Sequence, residues 1–181
     1  MTDLLAAAPA RAIPDTDIEL AVAAADHTVT PAQVRVLLAT IGKTKKLSIE
    51  QVQLYLTICA RKHVDPFSDA YVFPDGDGIA FGLRIDGMRA LALRTGELVS
   101  RTVEEIMAPD GKTVMGARCT VERKGLSKPV VEEAYFEEYR RKGTGWDQFP
   151  GTMIRKVAEA KALRAAFADA LSGVHEPAEM E

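Results

Sequence analysis

The chain has 181 residues, 47% of them hydrophobic, and a formal net charge of −3 at neutral pH. That is enough apolar material for one sizeable core, which excludes a chain disordered throughout, and the two cysteines are too few for a disulfide framework. No apolar run approaches the roughly 18 residues a membrane helix needs, and the Ala-rich start lacks the basic and long apolar regions of a secretory signal, so a cytoplasmic setting is expected.

The charge is segregated. Residues 1–30 carry five acids and one base, residues 176–181 three acids and no base, and residues 31–175 hold 22 bases against 18 acids. A mildly basic body between acidic ends leaves a polyanionic partner open despite the negative total.

Residues 1 to about 16 are rich in Ala and Pro and offer little to fold around, while Asp17 to Asp26 can form a short helix; residues 1–29 therefore read as a mobile acidic arm. Thr30-Pro31 supplies an N-cap followed by proline at the first helical position, and Val34, Leu37, Leu38 and Ile41 keep helical spacing up to Gly42. Gly42-Lys43-Thr44 has the look of a phosphate-loop end. The glycine that motif requires upstream is Leu37, however, and a helix precedes it instead of a strand, so Lys43, Lys45 and Lys46 read as a solvated basic loop. Ser48 with Gln51 forms a capping box opening a helix through Val52, Tyr55, Leu56 and Cys59, with His63 at its C-terminus and Asp65-Pro66 as its stop.

The middle reads as β. Ala70 to Phe73 and Ile79 to Ile85 flank the turn-forming Pro74-Asp-Gly-Asp-Gly78 and predict a hairpin. Asp86 is expected to cap a short helix closed by Gly96. Leu98 to Met107 and Thr113 to Lys124 flank Pro109-Asp-Gly-Lys112 as a second hairpin, and Lys128 to Tyr135 reads as a further strand. Phe136 to Lys142 is charged and ends in Arg140-Arg141-Lys142, before a break at Gly143-Thr-Gly145.

Trp146 to Leu171 is the longest helix-favouring run, with a helix expected over about 150–171 and Pro150 in its first turn. At about 100° per residue, Met153, Val157, Ala160, Leu163, Phe167, Ala170 and Leu171 share an arc of about 140° that faces a core. Lys156 projects between Leu163 and Phe167, and Arg164 beside Met153 and Val157. Either their stems snorkel over the core, or the arc's edge lines a groove that holds an anion, with Arg155 and Lys161 adding charge. This density of cations suits a phosphate chain better than one small anion. The expected class is α+β, with central antiparallel β-hairpins flanked by helices and a long basic C-terminal helix.

Catalytic groupings are thin. His27, His63 and His175 lie in separate contexts, so spacing proposes no triad. Asp65, Asp69, Asp75 and Asp77 could gather a divalent metal, as a nuclease requires, but Asp65 precedes proline while Asp75 and Asp77 sit beside glycine as turn residues. Cys59 and Cys119 read as buried thiols. Cations recur instead at element ends: Arg84 and Arg89 about the first hairpin and its helix, Arg140 and Arg141, then the long helix. Few aromatics are present and Trp146 reads as a core anchor, so a nucleic-acid binder of this composition holds backbone and leaves bases free.

Val64-Asp-Pro-Phe67, Tyr71-Val-Phe-Pro74 and Gly82-Leu-Arg-Ile-Asp-Gly87 with Arg89, followed by Trp146, Pro150, Met153, Arg155, Arg164, Ala166 and Phe167 in order and spacing, resemble the phage Bet and RecT group of single-strand annealing recombinases. The resemblance covers about Thr30 to His175. It implies an ATP-independent protein, not an enzyme, that coats single-stranded DNA, assembles into rings or helical filaments, and anneals complementary strands during phage recombination in the bacterial cytoplasm. It also implies a DNA groove between the hairpin-helix region and the long helix. Candidate DNA-binding residues are Arg155, Lys156, Lys161 and Arg164, then Arg140 and Arg141, with Arg84 and Arg89. Arg155 and Arg164 carry over most directly.

The sequence departs from the group at Gly151, Thr152 and Val157, where basic residues are expected, which puts individual lysine contacts in doubt. On this reading residues 30–175 are the annealing core and 176–181 an acidic tail. The partner-recruiting C-terminal module usual in the group is expected to be missing. No cofactor is expected to be required, with magnesium an expected aid to annealing. Expected partners are single-stranded and annealed duplex DNA, further copies of the chain, a phage exonuclease and a host single-strand-binding protein, and no membrane. A metal-dependent nuclease and a non-catalytic adaptor for a replication protein stay open as alternatives.

Overall fold

The structure, a computed structural model, describes residues 13–40, 47–75, 78–140, 142 and 144–174. Gly42, the Lys43 to Lys46 loop, Asp77, Arg141, His175 and the acidic tail lie outside them. Three helices come first: α1 (Asp15–Ala24), α2 (Pro31–Thr40) and α3 (Ile49–Lys62). The hairpin β1 (Ala70–Asp75) and β2 (Gly78–Leu83) leads into α4 (Ile85–Arg94), and β3 (Leu98–Met107), β4 (Val114–Arg123) and β5 (Val130–Tyr135) form an antiparallel meander. Short helices α5 (Phe136–Tyr139) and α6 (Thr144–Gln148) precede the long α7 (Pro150–Ala166) and a final turn, α8 (Ala168–Leu171). The class is α+β, as expected.

Local chemistry places the first helices. Thr30 and Gln33 close a reciprocal box at the head of α2, Thr30 N donating to Gln33 Oε1 at 2.8 Å and Gln33 N to Thr30 Oγ1 at 3.3 Å. Ser48 and Gln51 do the same for α3. His63 ends α3 in the left-handed region at φ 53°, and its carbonyl accepts from Arg94 Nη1. The packed body begins earlier than the expected boundary at Thr30. Ile18, Ala21, Ala25 and Val29 are all buried, and α1 packs on α3; small alanines bury backbone against a neighbour without a strong apolar signal in sequence.

The Val64–Phe67 stretch and Gly87, which carry part of the resemblance in the first half, act as scaffold. Asp65 Oδ1 accepts the amides of Phe67 at 2.7 Å and Ser68 at 2.8 Å, and Pro66 O accepts the Tyr55 hydroxyl at 2.5 Å, so this loop is fastened to α3. Arg84, not Asp86, is the N-cap of α4, and the helix starts at Ile85 without a side-chain cap. Gly87 is required by proximity: a Cβ there would stand 2.7 Å from Asp69 O.

The helix α7 is the centre of the molecule. It lies on the face of the meander formed by Ala117, Cys119 and Val121, all fully buried, and packs against α4 on another side. Its buried positions run from Met153 through Ile154, Val157, Ala158, Glu159 and Ala162 to Ala166, which is a far wider surface than the expected 140° arc. Each fully buried leucine or isoleucine contributes about 1.5–3 kcal/mol, while the alanines set how closely neighbours approach. The expected single helix to Leu171 is broken at Phe167 (φ −124°, ψ 48°). Arg123 of β4 holds this break by donating to Ala166 O at 2.6 Å. Trp146 is fully buried, edge-on to Phe136 with ring centres 6.4 Å apart, and its Nε1 has no hydrogen-bond partner among the described residues.

Candidate nucleic-acid interface

Three elements meet over one buried carboxylate. Glu159, in the middle of α7, has 3% of its side chain exposed. Arg89 of α4 grips it with two parallel bonds, Nε to Oε1 at 2.6 Å and Nη2 to Oε2 at 2.7 Å, while its Nη1 reaches Asp86 at 2.7 Å. Arg101 of β3 contacts the same Glu159 Oε1 through Nη1. Strand irregularity is what aims Arg101: the register shifts between Leu98 and Ser100, so Leu98 pairs with Arg123 and Arg101 with Val121, both on the sheet face under α7. Burial first, then the neighbouring Arg89 charge, lowers the Arg101 pKa from its ordinary value.

Arg155 precedes Glu159 by four residues and Lys156 by three, so both share its side of α7, one turn nearer the N-terminus. Arg155 is exposed with no side-chain partner among the described residues, and Lys156 is partly buried. Arg89, Arg101, Arg155 and Lys156 thus border one basic edge where α4, β3 and α7 converge, with Glu159 as its floor.

The other candidate cations lie elsewhere. Lys161 projects from the far side of α7, where Nζ donates to Glu133 O at 2.6 Å, approaches Glu132 at 3.4 Å and sits 5.8 Å from the centre of the Tyr139 ring. Arg164 shares that side, is partly buried and is itself engaged. Arg140 is exposed at the end of α5, near Lys161 through Tyr139. Arg84 turns toward the 67–68 loop, its Nη1 donating to Phe67 O at 3.0 Å and Ser68 O at 2.9 Å. Sequence reasoning missed Arg101 and Glu159. Nothing in the sequence set Glu159 apart from a solvated helix acid, because Arg155 and Lys156 stand one turn before it.

Of the acids weighed as metal ligands, Asp65 and Asp69 are engaged in the loop after α3, Asp65 Oδ1 with the Phe67 and Ser68 amides and Asp69 Oδ1 with the Ser68 hydroxyl at 2.9 Å. No three His, Cys, Asp or Glu side chains converge as a metal site among the described residues. Exposed aromatic rings are Phe73 and Phe149, the latter at the head of α7.

The RecT family model matches residues 32–181. The chain belongs to the RecT family. Membership places it among the single-strand annealing proteins of phage recombination, which act on DNA and are generally not catalytic. No curated protein matches the chain. The RecT match takes in both halves of the basic edge, α4 with β3 and α7. No described helix is long and apolar enough to cross a membrane.

Proposed function

We propose that this RecT family chain anneals complementary DNA strands without ATP, in the cytoplasm of a bacterial host, by holding phosphates along the α4–β3–α7 edge and leaving bases free to pair. The observation that carries the reading is the exposed Arg155 standing one helical turn from the Arg89–Glu159–Arg101 cluster, because a row of guanidiniums matches a chain of phosphates. Arg155 and Lys156 are the primary contacts on this reading, with Arg140, Arg164 and, at the edge of the meander, Lys161 extending the surface between copies of the chain in a ring or filament. Backbone contacts of this kind are weak singly and carry no base preference, so a strand can slide while complementarity is sampled. Magnesium would aid the pairing by screening the two strands, and a phage exonuclease would supply the single strands.

The test is annealing of two complementary labelled oligonucleotides added in sequence, without ATP, with product length read on a denaturing gel. Faster pairing of intact strands supports the reading. Binding without faster pairing removes annealing, shortened strands point to a nuclease, and no binding at low salt points to an adaptor.

A further inference from the structure

We infer that Glu159 is a positioning residue that holds Arg89 and Arg101 side by side as one phosphate-binding pair, and that Arg101 is a DNA contact. The inference rests on the annealing reading above and assigns that site its geometry. A carboxylate with 3% of its side chain exposed lies beneath two guanidiniums that are 36% and 31% exposed. Two arginines at one point repel each other, and one carboxylate cancels only half of their charge. With Asp86 on Arg89 the four formal charges sum to zero, but Asp86 is 80% exposed and screened by solvent, so a phosphodiester's single negative charge can take its place at the rim while the buried Glu159 keeps both guanidiniums there.

The forks fit as well as the charge. Arg89 spends its Nε and Nη2 edge on Glu159 and its Nη1 on the 80% exposed Asp86, a surface pair that solvent and salt weaken. Arg101 meets Glu159 Oε1 through Nη1, and no hydrogen bond from its guanidinium to another described residue accompanies that contact. A guanidinium anchored at one nitrogen by a buried acid and partly exposed has donors to offer phosphate oxygens. The bulge between Leu98 and Ser100 turns Arg101 toward α7.

A bare electrostatic patch and a positioned pair respond oppositely to loss of the acid. Removing a negative charge from a patch strengthens DNA binding, whereas removing the support of a pair weakens it. Binding of fluorescein-labelled oligothymidylate to the full chain is to be followed by anisotropy over a salt series for wild type, Glu159→Gln, Arg101→Gln and the double variant, with thermal unfolding recorded for each. Expected are a loss of about tenfold for Arg101→Gln, with the log–log salt slope reduced by about 0.7 for one phosphate contact, and a loss of at least about fivefold for Glu159→Gln. The double variant is expected to lose no more than the roughly tenfold of Arg101→Gln alone, well short of the roughly fiftyfold that two independent losses would give, because both act on one contact.

Binding by folded Glu159→Gln as tight as wild type, or tighter, overturns the inference. Where Glu159→Gln does not fold, Arg101→Lys decides: it keeps the charge but not the fork, so a loss of about fivefold supports the pair and an unchanged affinity overturns it. Wild type that binds no oligothymidylate sinks the annealing reading itself; wild type that binds, with all three variants unaltered, sinks only the pair.

Discussion

The Arg123 guanidinium lies 5.0 Å above the centre of the Phe167 ring and donates to Ala166 O at the point where α7 stops. Its other side is paired with Glu97 through Nε at 2.7 Å. One side chain therefore satisfies a helix-end carbonyl, covers a buried ring and ties β4 to the turn before α8. Arg123→Ala should cost about 2 kcal/mol from the lost charged hydrogen bond and ring contact together. Urea unfolding would read this as a lower midpoint at an unchanged slope; a midpoint within error of wild type would show that the break at Phe167 needs no such clamp.

Two cations of α7 should part company under substitution. Arg155→Ala is expected to leave stability within about 0.5 kcal/mol of wild type while lowering the salt slope of single-strand binding by about 0.7. Lys161→Ala is expected to cost about 1 kcal/mol, from its bond to Glu133 O, with a smaller effect on the salt slope. Measured slopes in the reverse order would move the DNA path to the other side of α7.

Gly87 is set by a backbone neighbour, which cannot swing aside as a side-chain tip can. With a methyl group only 2.7 Å from Asp69 O, Gly87→Ala should push α4 off the 65–69 loop at a cost of about 1–3 kcal/mol. Because Arg89 rides on the same helix, single-strand affinity should fall too. A variant with wild-type melting temperature would show that the loop yields freely.

Burial raises the Cys59 thiol to about 12 and the Cys119 thiol to about 11. An unfolded thiol titrates near about 8.5, so above that pH the folded chain keeps protons that the unfolded chain has released. The stability these thiols contribute is complete below about pH 8.5 and falls as pH rises toward about 11. Unfolding midpoints at pH 7.5 and 10 in wild type and Cys59→Ala would read the share of one thiol, with a shallower fall expected in the variant. At neutral pH a thiol reagent should label neither cysteine until the chain unfolds.

Elements with local punctuation were legible in the sequence. The Ser48–Gln51 box, the turn at Pro109-Asp-Gly-Lys112 and the start of α7 at Pro150 each state their structure within a few residues, whereas Pro74 and Asp75, expected in a turn, continue β1. What stayed hidden was decided at a distance. Nothing near Phe167 in the sequence breaks a helix; the bond that meets the chain at the break, Arg123 to Ala166 O, comes from β4. Ile18 and Ala21 look like part of an arm until α3 is beside them. Glu159 resembles any solvated helix acid, since the two arginines that explain it come from α4 and β3, and Arg101 faces inward only because a bulge resets its strand. The cations on α7 were visible as a group, but their division between two sides followed from how much of that helix is buried.

Trp146 is the chain's single tryptophan, and its complete enclosure beside Phe136 gives the molecule a built-in optical gauge. An indole shut away from water, with no hydrogen-bond partner for Nε1 among the described residues, emits toward the blue and shifts to the red when the body opens. A strand lying along the α4–β3–α7 edge would not stack on it, so the colour of its emission should hold steady through DNA binding. The same fluorescence trace can therefore time the loss of the fold while labelled oligonucleotides time the pairing of strands, each without disturbing the other.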